Sequence, residues 1–390
     1  MDNAIEIPAI REFNLTEIEK LIERFNHRIN EAQMRSFASK NMVKKAIRRK
    51  GAKRCTFRLK MVSPEIIIRY NDNLADILCE FPDDIICMHP YDYTIGYQSP
   101  ESKNYINPIR TIMGNFKWID EWGTSWAHAV GGIGAMQIDY PLKDWSLLND
   151  YLANKFPNPN KPGRLDAPIS ELQMHGGKKY CIGMIMLSLW ERLQALRGMD
   201  AVLMDLYDNE IDLKRLIEEI VNYLVVLIHN WAIIGADAVL LGDDWGTQSS
   251  LMISLDMWRT FFKNAYRTLV EEAHKYDMDI ILHSDGHINE LIPDFINVGF
   301  DSLHPIQPGP NNLNRIAKEF GGYITFFGAI DSQKLLILAS PQKIKDDVRK
   351  LIDILGKPFG NAFIISPSNV LTPDVPLENI RALAVACNEH

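Results

Sequence analysis

Short apolar runs alternate with longer amphipathic ones along most of the chain. Thr56–Leu59, Asp84–Met88, Tyr180–Met186, Asp237–Leu241, Asp279–His283, Ser302–Pro305, Tyr323–Phe327 and Ala362–Ser366 read as buried strands. Helical patterns lie between most of them, clearest over Leu213–Ile234 and Leu255–Tyr276. A third, Gln342–Leu355, follows a Ser340-Pro341 start and ends at Gly356. Residues 1–50 also read as helical. Thr16, with Glu19 three positions on, has the form of a capping box ahead of an apolar stripe of Leu21, Ile22 and Phe25. Strands alternating with helices predict a closed parallel TIM (β/α)8 barrel over 51–390, with 1–50 as an N-terminal helical extension. One stretch breaks the alternation. Asn115–Lys143 carries Trp118, Trp122, Trp126, several glycines and the alternating segment Ala135–Pro141, which predicts an inserted β-hairpin forming part of a lid.

Composition narrows the partners. Hydrophobic residues make up 46% of the chain and charged ones 24%, enough for a large core. A net charge of -8 argues against nucleic acid or an anionic membrane as the main partner, and the basic segment Lys44–Arg54 reads as a solvated face. The 5 cysteines are scattered and contain no CxxC pair, which fits a reducing compartment. The first residues lack the basic-then-apolar form of a secretory signal. Tyr223–Leu241 is broken by His229, Asn230 and Asp237, so it reads as a buried helix, a Gly235 stop and a strand. The expected location is cytoplasmic.

In a parallel barrel, binding and catalytic groups follow the strands at their carboxyl ends. After Leu241 come Gly242, Asp243, Asp244, Trp245, Gly246, Thr247 and Gln248; after Leu282 come His283, Ser284, Asp285 and Gly286. His304 and Gln307 follow Leu303, Asp331, Ser332 and Gln333 follow the Phe326-Phe327 strand, and Ser366, Ser368 and Asn369 follow Ile365. Helix capping accounts for Ser332 and serves for Asp244 too. It explains less well why histidines, acids and glutamines converge on one barrel mouth. His283, Asp285 and Asp243 are therefore the expected catalytic residues. Asp244, Trp245, Gln248, Gln307, Asp331 and Asn369 are the expected substrate contacts, and His283 and Asp285 the candidate metal ligands. Other signals read as structural. Gly131–Gly134 is hairpin punctuation, His175 lies at the barrel bottom or the lid approach, His274 is on the surface, and His229 is a satisfied core residue.

These segments resemble the uroporphyrinogen decarboxylase superfamily. The resemblance rests on Asp243–Gln248, His283–Ile288, Asn297–Pro308, Gly328–Gln333 and Ser366–Asn369, with Asp120–Gly123 and Leu203–Tyr207 upstream. It covers roughly residues 40–388 and implies a TIM barrel. The cofactor-free decarboxylase branch implies an MRQAGRY-like motif after the first strand, where this chain has Arg58-Leu59-Lys60-Met61. That branch also implies a late histidine where this chain has Asn369. The cobamide-dependent methyltransferase branch implies zinc held by a His-x-Cys pair and a later cysteine, at positions occupied here by His283, Asp285 and Asn369. Only one of those ligands is retained.

The leading expectation is corrinoid-linked methyl transfer or demethylation of a small substrate. In that version His283 and Asp285 hold a divalent metal such as zinc or act as acid and base. Asp243 and Gln307 orient substrate, and Trp245 with the Trp122–Trp126 hairpin excludes water. The chain has no DxHxxG signature, so a corrinoid would arrive on a separate protein. The alternative is cofactor-free decarboxylation, with Asp243 or Asp285 as proton donor and Arg110 or Arg164 gripping a carboxylate. A non-catalytic ligand-binding barrel is the third reading. A homodimer is the default assembly.

Overall fold

The computed structural model describes residues 14–35, 39–89, 116–128, 135–175 and 177–389. It has the TIM-barrel fold. The barrel strands are β1 (Thr56–Phe57), β2 (Ile85–Met88), β6 (Tyr180–Ile185), β7 (Ala238–Gly242), β8 (Asp279–His283), β9 (Ser302–His304), β10 (Thr325–Ile330) and β11 (Phe363–Pro367). They form one sheet in the order β1-β11-β10-β9-β8-β7-β6-β2, with helices between successive strands. A separate antiparallel sheet contains β3 (Phe116–Ile119), β4 (Ser125–His128) and β5 (Met136–Asp139). The chain divides into two compact units. One comprises Met1–Ile86, Met174–Tyr180 and Asp301–His390, and the other Cys87–Gln173 and Cys181–Phe300.

In the first unit β1, β11, β10 and β9 are parallel, with Thr56 opposite Ile364, Phe326 opposite Phe363 and Thr325 opposite Ser302. Each residue of β10 and β11 is buried, as continuous apolar runs in a parallel sheet require. Two acids ahead of β2 tie the start of the unit together. Asp84 takes both Arg54 Nη atoms at 2.7 and 2.9 Å and the Phe57 amide at 3.0 Å. Asp83 accepts the amides of Leu59 and Lys60 at 2.6 and 3.0 Å, and burial pushes its carboxyl up to about 6. The helix Leu15–Arg35 begins on a reciprocal pair, Glu17 N to Asn14 Oδ1 at 3.1 Å and Asn14 N to Glu17 Oε2 at 2.9 Å. The capping box is thus Asn14/Glu17, not Thr16/Glu19. The cap must stand outside the first helical turn, and Thr16 is already inside it.

In the second unit β6, β7 and β8 are parallel, with Ile182 opposite Ala238 and Ala238 opposite Asp279. The helix Glu210–Ile234 is long and apolar enough by composition to cross a membrane, but residues from Leu213 to Trp231 line the core of this unit. Gly235 ends it at φ 93, where a side chain would be strained, and β7 follows. The predicted Leu255–Tyr276 helix is two, Leu255–Phe261 and Lys263–Lys275.

The expected hairpin is a three-stranded sheet, and its indoles face inward. Trp118 stacks on Trp126 at 6.4 Å between ring centroids, and both pack with Ala195 and Leu187. Trp122 meets Tyr223 edge-on at 4.7 Å, with the Arg192 guanidinium 4.5 Å from its ring. Three tryptophans represent too much apolar area to leave in water, so these rings brace the core and the turn after β6. Arg164 is also committed. It is buried and paired bidentately with Glu121 at 2.8 and 2.7 Å, so it is not the expected carboxylate grip. Arg110 and Gly131–Gly134 lie outside the described residues.

Gly183 in β6 lies against Trp231, and a Cβ there would come within 2.3 Å of the ring. Gly183→Ala is expected to lower the unfolding free energy by about 1–3 kcal/mol in chemical denaturation. Unchanged stability would show that the indole has room to shift.

Candidate active site at the strand ends

Three turns of the second unit carry the candidate chemistry, those following β6, β7 and β8. The chain leaves β6 through Leu187, whose φ of 52 is unusual for a side chain with a Cβ. It then enters the helix Trp190–Arg197. Asp243, just after β7, is sealed from solvent. Its carboxylate accepts hydrogen bonds from the Ser188 hydroxyl, the Leu189 amide at 2.9 Å, the Glu191 amide at 2.9 Å and the Tyr266 hydroxyl at 2.7 Å. Burial raises its pKa, and these donors pull it back. Two amides at the start of a helix are thereby satisfied by a carboxylate from the neighbouring turn.

The β7 and β8 turns are laced together. Asp243 N donates to His283 O at 3.0 Å, Trp245 N to Ser284 Oγ at 2.9 Å, Asp285 N to Asp244 Oδ1 at 2.8 Å and His287 N to Thr247 O at 2.7 Å. Two glycines make this possible. A Cβ on Gly246 would lie 2.6 Å from the His287 amide nitrogen, and one on Gly286, at φ 79, would lie 2.5 Å from Gly246 O. The backbones approach too closely for any side chain between them.

Asp244, His283 and Asp285 come together as a result. Each offers one ligand atom, and all three atoms lie within 4.8 Å of one another. His283 Nε2 is 3.7 Å from Asp244 Oδ1. Burial pushes the Asp285 carboxyl up to about 6, His283 pulls it back, and Asp244 pushes it further up. A tetrahedral divalent ion holds nitrogen and oxygen ligands at about 2.0–2.2 Å, so that any two of them stand about 3.4 Å apart. The three side chains are grouped for an ion, and binding one would draw them closer together. One imidazole and two carboxylates suit zinc and other first-row divalent ions, as a harder set than one containing thiolates.

The other expected residues are placed differently. Trp245 is fully buried, stacked on Trp190 at 4.9 Å, and its Nε1 donates to Tyr266 Oη at 3.1 Å. It forms the floor beneath the turns. Gln248 is exposed on the Thr247–Ser250 turn. His287 pairs with Glu290 at 2.8 Å, His229 is half-buried and bonded to the Tyr276 hydroxyl at 2.7 Å, and His274 is exposed. In the first unit Gln307 is buried, and its carbonyl accepts from Asn311 Nδ2 at 2.9 Å. Asp331 accepts the amides of Gln333 and Lys334 at 2.8 and 2.9 Å, and Asn369 Oδ1 accepts the Val370 amide at 2.7 Å. His304 lies edge-on to Phe327 at 4.5 Å, and His175 is buried at the end of Asp166–His175.

One residue escaped the sequence reading. Glu191, half-buried in the first turn after β6, has its carboxyl raised well above the usual range, by burial first and then by Asp244 and Asp243. Applying the strand-end rule to Tyr180–Met186, as was done for the later strands, would have found it.

A barrel whose acids and histidine gather at the strand ends defines a class of ligand-handling TIM barrels. The family model described as uroporphyrinogen decarboxylase (URO-D) matches residues 183–390, just over half of the chain. The chain belongs to that family, whose members are enzymes. Among curated proteins it is similar to the methylcobamide:CoM methyltransferase MtaA of Methanosarcina barkeri, 24% identical over 156 residues, which is 40% of this chain and 42% of that one. It is similar too to the uroporphyrinogen decarboxylase of Pseudomonas fluorescens, 22% identical over 184 residues, 47% of this chain and 50% of that one. The chain spans about half the length of the curated relatives it matches. A solved methyltransferase from Methanosarcina mazei shares the fold, with a TM-score of 0.65 at 16% identity, covering 91% of this chain and 99% of that one.

The Asp285 shift makes a prediction with a definite sign. Its folded pKa of about 6 lies above the unfolded value of about 3.9, so the ionised carboxylate opposes folding. That penalty is absent below about pH 4, grows as pH rises, and is complete above the folded pKa. Metal-free Asp285→Asn is expected to be more stable than the metal-free parent at pH 7.5, by the order of 1–2 kcal/mol after allowing for solvent access, with the gap closing towards pH 4. A variant less stable than the parent at pH 7.5 would show that the carboxylate is a net support.

Proposed function

We propose that this chain is a metal-dependent methyltransferase, moving a methyl group between a small substrate and a corrinoid carried by a separate protein. The observation that carries the reading is the convergence of Asp244, His283 and Asp285 within 4.8 Å on two turns laced by main-chain hydrogen bonds. The similarity to a methylcobamide-dependent methyltransferase supports it, and the commitment of Arg164 to Glu121 weakens the case for a carboxylate-gripping decarboxylase. Asp244, His283 and Asp285 would hold the ion, which acts as a Lewis acid lowering the pKa of the substrate group it binds.

The chain's own residues do the rest. Asp285 N, donating to Asp244 Oδ1 at 2.8 Å, fixes one of the candidate carboxylates. Asp243 holds the β6 turn against β7 through its bonds to Leu189 and Glu191, and so sets where Glu191 stands. Trp190 and Trp245, stacked and buried, close the floor to water.

Protein purified without chelator or affinity tag is expected to carry about one equivalent of a divalent ion by elemental analysis. His283→Ala should lose the ion and methyl transfer from methylcobalamin while unfolding within about 2 kcal/mol of the parent. A chain that neither retains nor takes up zinc, manganese or cobalt would overturn the metal reading. Global unfolding of His283→Ala, with His283→Gln equally unstable, would make the histidine structural.

A further inference from the structure

We infer that the substrate has a neutral apolar body, and that this body rests in a groove on the rim of the barrel mouth beside the candidate ion site. The inference deepens the proposed function by naming a substrate class. It rests on that reading for the reacting group and on the groove for the rest of the molecule.

The groove has a volume of about 670 Å³ and lies in the second unit, between the helix Met199–Asp208 and the turn that follows β7. Both walls belong to the mouth. The chain leaves the carboxyl end of β6 through the short helices Trp190–Arg197 and Met199–Asp208, and only then does the long helix Glu210–Ile234 return it to the start of β7. The turn after β7 likewise comes before the return helix Lys263–Lys275. Leu203 and Leu206 line one side of the groove, and Leu251, Met252 and Met257 the other. His287 and Glu290, the charged residues among its described lining, are paired with each other at 2.8 Å.

The groove and the ion site share a wall. Leu251 is bridged to Gly246, and Met252 N donates to Trp245 O at 2.9 Å, so the strip that lines the groove lies against the residues that follow Asp244. Trp190 Nε1 donates to Met252 Sδ at 3.5 Å and ties the same strip to the floor of the site. On the β8 side, His287 lines the groove, and Asp285 two residues earlier offers an ion ligand. The α-carbons of two such residues stand no more than about 7 Å apart.

The groove selects its occupant by size, surface and charge. Its volume falls within the range of about 300–1,000 Å³ that suits a small molecule. Leu203, Leu251, Met252 and Met257 are half-buried, so a ligand laid on them removes apolar surface that the fold leaves in water. The flexible thioethers of Met252 and Met257 adapt to the shape of what they meet. A charged body would give up its hydration to walls whose described charges already neutralise each other, whereas a neutral apolar one gives up nothing.

The test titrates the zinc-loaded full chain with the neutral dye N-phenylnaphthylamine and displaces it with straight-chain primary alcohols from ethanol to hexanol, with bound metal measured on the same samples. Each added methylene should tighten binding about three- to fourfold. Leu203→Asp should weaken hexanol about tenfold or more and flatten the length dependence, with metal content and circular dichroism unchanged, while Leu203→Met should bind like the parent. Hexanethiol, whose thiolate is a zinc ligand, should bind at least about tenfold more tightly than hexanol. Equal affinities with zinc bound would part the groove from the ion and overturn the inference, as would a length dependence that survives Leu203→Asp. An absence of dye and alcohol binding would leave the groove to a protein partner and overturn it too. If Leu203→Asp fails to fold, Met257→Asp on the facing wall carries the same expectation. The two readings fail separately. A chain that takes up no ion, yet binds alcohols with a length dependence erased by Leu203→Asp, sinks the metal and keeps the apolar body, and an ion-bearing chain whose alcohol binding is flat with length does the reverse.

Discussion

The Asp243 carboxylate is cut off from water, and that condition governs everything built around it. A buried charge is tolerated only when donors surround it, and here the donors come from two separate segments. Ser188, Leu189 and Glu191 approach from the β6 turn, and Tyr266 from the helix Lys263–Lys275. Removing any one of them strands part of a charge. The turn after β6, the end of β7 and a helix two elements later are therefore held to one arrangement, and that arrangement fixes where Glu191 and Asp244 stand.

The acids of this chain divide by how many donors meet them. Asp84 has Arg54 and a main-chain amide, and Asp243 has four groups around it, so both serve the scaffold. Asp83, with two amides, is held less completely and keeps a carboxyl near 6. Asp285 and Glu191 sit among other acids, and burial together with Asp244 raises both carboxyls. Buried acids crowded together at a strand end cost stability, and they are tolerated where an incoming ligand supplies the opposite charge.

Much of this was legible in the sequence. All eight barrel strands fall where the apolar runs lie, within three residues at each end, because a strand buried on both faces is written as a continuous apolar run. The Gly235 stop is equally plain. The strand-end rule brought forward Asp244, His283 and Asp285, which the fold gathers. The misses have physical causes. Asn14 and Thr16 are both competent caps, and only the path of the backbone chooses between them. The third strand of the antiparallel sheet and the inward turn of its tryptophans depend on contacts with Ala195, Tyr223 and Arg192, far away in sequence. Arg164 looked available because its partner Glu121 is 43 positions distant. Asp243 and Trp245 look like site residues in a linear reading, yet one is a strut and the other a floor, since burial is decided by packing and not by position in a motif.

The way the β7 and β8 turns are joined has a consequence for how such a barrel changes over time. All four of their cross-links are donated by main-chain amides, which do not depend on the side chain of the donating residue, two of them to main-chain carbonyls, and two glycines keep the backbones in contact. The side chain at position 285 can then be exchanged while the turn that presents it keeps its shape. Carboxylate, thiolate or amide can occupy the same spot, and a lineage can move between metals and substrates by single replacements without passing through an unfolded intermediate. The rigid part of the site is its backbone, and its chemistry is the part free to drift.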